Sequence, residues 1–177
     1  MATSAQIRQT RNLLLGLTLA LLASGMVAAP ALAATATPFA ASIDERATFV
    51  RCPPGTPAGA LCFVGEGDGS VTLPLPGGPA KESFFGFVDF GATKAGCTPD
   101  YTWSTISTSK GSLTVFVRGM KCDATPGVDH GAWTVLGGTG MYGGARGSGT
   151  AVSQVTSFSN TGATSTSTFD GTLILSH

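Results

Sequence analysis

Apolar and polar residues alternate along most of the chain in short runs broken by glycine, proline, asparagine and serine. This is the pattern of half-buried strands joined by turns. Runs fall at residues 47–52, 61–65, 70–75, 83–90, 101–108, 112–118, 133–136, 150–158 and 165–175. The segment holding Pro53, Pro54, Gly55 and Pro57 predicts a rigid loop, and Gly67-Asp68-Gly69 a turn between the second and third runs. Ser109-Lys110-Gly111 reads as a turn, residues 121–131 as a polar loop, and Asn160-Thr161-Gly162 as a hairpin turn between the last two long runs. In 165–175, Phe169, Leu173 and Leu175 share one face, while Thr168, Asp170 and Thr172 share the other. Residues 83–90 are apolar on both phases: Phe85, Phe87 and Asp89 on one, Phe84, Gly86, Val88 and Phe90 on the other. That strand is expected to be covered on both sides or to form an exposed patch. No amphipathic helix pattern follows residue 34.

About eight short strands rich in Thr, Val and Phe predict an all-β domain, a barrel or a β-sandwich. The stretch that decides between them is the glycine-dense joint 137–149, with Tyr142 in its middle. Its Gly138-x-Gly140-x-x-Gly143 spacing matches a dinucleotide fingerprint, but the Ser/Thr-rich, β-branched sequel is no helix and no P-loop lysine follows, so nucleotide binding is excluded. Glycines here serve a sharp bend where a sheet curls, with Tyr142 laid over backbone that lacks side chains. A bend of this kind and a long terminal hairpin favour closure into a barrel, which hides strand edges.

The joint Gly137-Gly138-Thr139-Gly140, Tyr142, Gly144-Ala145-Arg146-Gly147 resembles the signature of dirigent proteins and allene-oxide-cyclase-like barrels, and the resemblance extends over roughly residues 83–176. It implies an eight-stranded antiparallel β-barrel with an apolar interior. Plant members guide radical coupling or close an oxylipin ring, and some bacterial relatives act as cyclases. No catalytic set of those members matches this chain residue by residue, so the resemblance implies a fold and not a reaction.

Residues 1–33 carry Arg8 and Arg11, an apolar stretch and the small-x-small end Ala31-Leu32-Ala33, which together read as a secretory signal. Residues 34–45 are expected to be a flexible lead and 46–177 a single barrel domain. The chain has 10 basic and 10 acidic residues. Loss of Arg8 and Arg11 with the signal leaves the mature chain about two charges negative. With no basic stripe, no nucleic-acid partner is expected, nor any membrane partner once the signal is removed. An exported chain with Cys52, Cys62, Cys97 and Cys122 is expected to hold two disulfides, and local loop closure favours Cys52–Cys62 and Cys97–Cys122. The cysteine spacing, with His130 and His177 as the only histidines, excludes a zinc site. No metal or cofactor is expected.

His130 beside Asp129 is expected to be a solvated loop pair, which leaves no hydrolytic triad. A catalytic carboxylate pair would have to come from Glu66, Asp68, Glu82, Asp89, Asp100, Asp123, Asp129 and Asp170, mostly in loop-like contexts. Asp89 is the first candidate for an acid or base, because it shares a phase with Phe85 and Phe87. Phe85, Phe87, Asp89, Tyr101, Trp103, Trp133 and Tyr142 are the expected ligand-binding residues. Two readings follow. One is a secreted barrel that binds an apolar small molecule or serves a structural or interaction role, as monomer or homo-oligomer. The other is a cofactor-independent cyclase or isomerase that steers a flexible apolar substrate in the lumen. An open lumen containing a buried ionisable group favours the second; a solid core excludes both lumenal roles.

Overall fold

The computed structural model describes residues 35–74 and 77–176; the expected signal segment lies outside them. Eight antiparallel strands form a closed barrel, each paired to its neighbour in sequence: β1 (Ala36–Val50), β2 (Leu61–Leu73), β3 (Gly78–Val88), β4 (Cys97–Thr108), β5 (Gly111–Cys122), β6 (Val128–Gly138), β7 (Arg146–Phe158) and β8 (Gly162–Ile174). The ring closes where β1 pairs with β8 from Ala36↔Ile174 to Thr48↔Gly162. Barrel rather than sandwich is therefore the architecture, and no strand of it is left as an edge.

Several local expectations change. The lead expected at 34–45 is instead strand from Ala36 onward, and its Phe39, Ala41 and Ile43 point inward at period two. Gly67-Asp68-Gly69 does not turn. These residues lie inside β2, in register with Glu45, Asp44 and Ile43 of β1, and a long strand replaces two short ones. The loop expected at 121–131 shrinks to 123–127, because β5 runs to Cys122 and β6 begins at Val128.

The links at 51–60, 89–96, 123–127 and 159–161 lie at one end of the barrel, here the mouth. Both disulfides, Cys52–Cys62 and Cys97–Cys122, are found there. The opposite end is packed solid. Phe39, Ile43, Ile106, Leu113, Val115, Trp133, Tyr142, Phe169 and Leu173 form its core, all at 3% exposure or less. The Trp133 indole lies over bare backbone: an added Cβ would stand 2.7 Å from the ring at Gly149 and meet it again at Gly171. Its Nε1 donates to the carbonyls of Thr150 (3.0 Å) and Asp170 (3.2 Å), so the buried N–H is satisfied.

The glycine joint closes this packed end. After β6 the chain makes one 3-10 turn, Gly140–Tyr142, then enters β7 at Arg146. Gly140 (φ 58°) and Gly144 (φ 69°) take the left-handed backbone that favours glycine. The turn docks on the β4–β5 hairpin through Thr139 N–H to Ser112 O (2.8 Å) and Met141 N–H to Lys110 O (2.9 Å). Tyr142, 2% exposed, plugs the barrel beneath it.

Candidate functional site

The mouth half of the barrel is hollow. Its cavity measures about 670 Å³, within the range of small-molecule sites. Small residues make the space: Ala47, Ala151, Ala163, Gly119, Gly131, Ser153 and Ser165 face inward where the packed half carries Trp, Phe and Leu. Phe63, Phe84 and Phe169 line the wall, and Phe90 and Phe158 stand at the entrance. Phe158 is 70% exposed and its ring meets Phe49 at 5.3 Å.

Four strand-borne carboxyls point into this apolar space, as two pairs at different depths, and a fifth, Asp123, borders it from the link after β5. The floor pair is Glu82 of β3 and Glu45 of β1, each in register with Gly67 of the strand between them. The Glu45 carboxyl lies within hydrogen-bonding reach of Glu82. Ser104 Oγ donates to Glu82 Oε1, and Ser165 Oγ to Glu45 Oε2 (2.7 Å). The mouth pair is Asp100 of β4 and Asp129 of β6, which meet over Gly119 of β5. An added Cβ at Gly119 would clash with Asp100 Oδ1 and stand 2.7 Å from Asp129 Oδ1. Asp129 accepts from Met120 N–H (3.0 Å) and pairs with Lys121 Nζ (2.7 Å). Asp100 and Ser104 are four residues apart on β4, so the two pairs are separated by about 13 Å along that strand.

Glu82 Oε2 and Asp100 Oδ1 are buried and accept no hydrogen bond from any donor among the described residues. Each belongs to a carboxyl facing a second carboxyl, where a bond can form only through a shared proton. The electrostatics agree. Burial, then the Glu45 charge, pushes Glu82 up to about 9 against the opposing Ser104 hydrogen bond. Burial, then the Asp129 charge, pushes Asp100 up to about 7 against the opposing charge of Lys121. At neutral pH the floor pair holds a proton, and the mouth pair is poised to gain or lose one.

The ligand-binding candidates drawn from the sequence lie elsewhere. The inward phase of β3 is Glu82, Phe84 and Val88. Phe85 and Phe87 therefore face outward with Tyr101, Trp103 and Phe116, and these five rings form a ladder across β3, β4 and β5. Its contacts include Phe87–Tyr101 (5.0 Å) and Trp103–Phe116 (5.0 Å). Asp89 follows the end of β3 on the outer phase, where it precedes the 3-10 turn Phe90–Ala92 without capping it, and it is not among the lumen-lining residues. Trp133 and Tyr142 are in the packed end. Asp129 is no solvated loop residue: it is 7% exposed in β6, while His130 points outward. Of the carboxylates considered for a pair, Glu82, Asp100 and Asp129 are brought into the lumen, and Asp123 borders it from the exposed link after β5. Glu45 was missed because it fell in the expected lead; the period-two series Phe39, Ala41, Ile43, Glu45 was the signal that could have found it.

In overall structure the chain is similar to dirigent proteins. One pterocarpan synthase dirigent protein matches 78% of this chain and 84% of its own at 13% identity and a TM-score of 0.46. A second matches 78% of this chain and 96% of its own at 16% identity and a TM-score of 0.43. No protein-family description and no curated protein matches the sequence.

Proposed function

We propose that the barrel takes a small, largely apolar molecule into its mouth-side lumen and performs cofactor-independent proton transfer on it, as a cyclase or isomerase. The supporting observation is the presence of two facing carboxyl pairs inside a largely apolar cavity. A passive carrier of apolar ligands has no use for them, and burying each group opposes folding. Asp100 is the proton-transfer residue in this reading. Its poise near 7 lets it take a proton from one substrate atom, exchange it with solvent at the mouth and deliver one to another. Lys121 and the Met120 N–H fix Asp129 beside it and orient the pair. The phenyl and small-residue walls hold a flexible substrate folded, so that proximity supplies much of the rate. Two disulfides suit an oxidising compartment outside the cytoplasm, and we place the site of action there, as a secreted protein.

The test is incubation of the protein with a small-molecule extract of its own host in deuterated water. The native protein is expected to form an isomeric product carrying one deuterium at carbon, and Asp100→Asn to form none. A molecule retained by the native protein in native mass spectrometry but left unchanged would reduce the function to binding. No retained molecule at all would overturn the lumenal site.

A further inference from the structure

The two carboxyl pairs differ in one respect: the mouth pair has a cation of the protein beside it and the floor pair has none. Among the described residues the ion pairs are Lys121–Asp129 and Lys81–Asp68, and the second is on the outer surface with both side chains about four-fifths exposed. Arg46, the neighbour of Glu45 in sequence, alternates to the exposed outer face. Glu82 is only 4% exposed, lines the cavity, and keeps Oε2 without a donor.

We infer that the floor of the lumen is a recognition site for an organic cation, a protonated amine on an apolar or aromatic body, held by Glu82 and Glu45. This rests on the lumen being the ligand site and names the class of ligand it takes. The charges match. A carboxyl pair sharing one proton carries one negative charge, and an alkylammonium head carries one positive charge. The donors match as well. Ser104 and Ser165 already satisfy one oxygen of each carboxyl. One of the oxygens left over carries the shared proton, yet each keeps a lone pair free to accept, and an ammonium brings three N–H donors and no acceptor. Phe63, Phe84 and Phe169 line the same cavity and supply aromatic surface, which favours a cation that has left water. An alcohol would satisfy one acceptor but leave the pair's charge unmatched, and a carboxylate would add a third like charge. A metal ion is a poorer match, because no three ligating groups cluster among the described residues.

The experiment is calorimetric titration of the full chain at neutral pH with three probes sharing one body: 4-phenylbutylamine, 4-phenylbutanol and 4-phenylbutanoate. The amine is expected to bind at least about tenfold tighter than the alcohol, with the carboxylate weakest. The double variant Glu45→Gln/Glu82→Gln leaves the floor uncharged and should bring the amine to within about threefold of the alcohol. Lys81→Met, on the outer surface, should leave the amine preference intact. Equal affinity of the native protein for amine and alcohol would overturn the inference and leave the lumenal site standing. Persistence of the preference in that double variant would also overturn it. Binding of none of the three probes would overturn this inference and the lumenal reading together.

Discussion

The two ends of this barrel are made by the same eight strands in one continuous ladder, yet one is a core and the other a chamber. At the closed end the inward positions carry Trp133, Phe39, Ile106 and Leu173, with glycines opposite the largest ring. At the mouth they carry Ala, Gly, Ser and Thr, four carboxyls and a few phenyl rings. Stability and function are thus divided along the barrel axis. The closed end supplies apolar burial. The mouth, short of packed volume, is tied by both disulfides instead.

The sharpest way to break this division is to remove the indole. Trp133→Ala is expected to cost about 3–5 kcal/mol in urea denaturation, because it empties the core and strips the Thr150 and Asp170 carbonyls of their donor. A cost under about 1 kcal/mol would show that the closed end is not where stability resides. Next comes the mouth. Replacing both Cys97 and Cys122 by Ala is expected to cost about 3 kcal/mol through loop closure over a separation of 25 residues. The lost stability should appear as hydrogen exchange around the 89–96 and 123–127 links before it appears at Trp133. Simultaneous exchange at both ends would mean that they unfold as one unit.

The third effect has the opposite sign. Glu82 binds its proton more tightly in the folded chain than in the unfolded one, up to about 9. Between the ordinary carboxylate range and about pH 9 the folded state therefore holds more protons, and stability falls as pH rises. Asp100 adds to the same fall up to about pH 7. Glu82→Gln removes the floor contribution. It is expected to be about 2 kcal/mol more stable than the native protein at pH 8, with the gain shrinking toward pH 4. Equal stability at both pH values would show that the floor pair is solvated.

The closed end was far more legible in the sequence than the chamber. Period-two alternation in 165–175 and the glycine joint predict inward faces and a closing bend, because apolar burial and positive φ leave residue-type signatures. The disulfide pairing followed from loop length. The chamber leaves weaker traces. Its defining positions are Gly119, Ala151, Ala163 and Ser165, whose meaning is the absence of volume. Its chemistry comes from pairing strands, not from neighbours in sequence: Glu45 and Glu82 meet across Gly67, and Asp100 and Asp129 across Gly119. The aromatic strand misled for a related reason. With both phases of β3 apolar, hydrophobicity could not say which side faced the lumen, and the more aromatic side is the outer one.

The smallest expected effect is the most direct probe of the hollow. The same substitution can be made at each end: Ala41→Leu in the core and Ala163→Leu on the chamber wall. At Ala41, 5% exposed among Phe and Ile side chains, three added carbons have no room, and a cost of about 1–3 kcal/mol is expected. At Ala163 the added carbons enter the cavity and bury against the wall. The change in stability should stay under about 0.5 kcal/mol, because the apolar area buried offsets the ordering of the new side chain. The same variant should weaken binding of 4-phenylbutanol, since it occupies part of a space of about 670 Å³. Equal destabilisation at the two positions would mean that the chamber collapses onto its walls in solution. A stable Ala163→Leu with undiminished probe binding would instead place the ligand deeper, against the floor carboxyls alone.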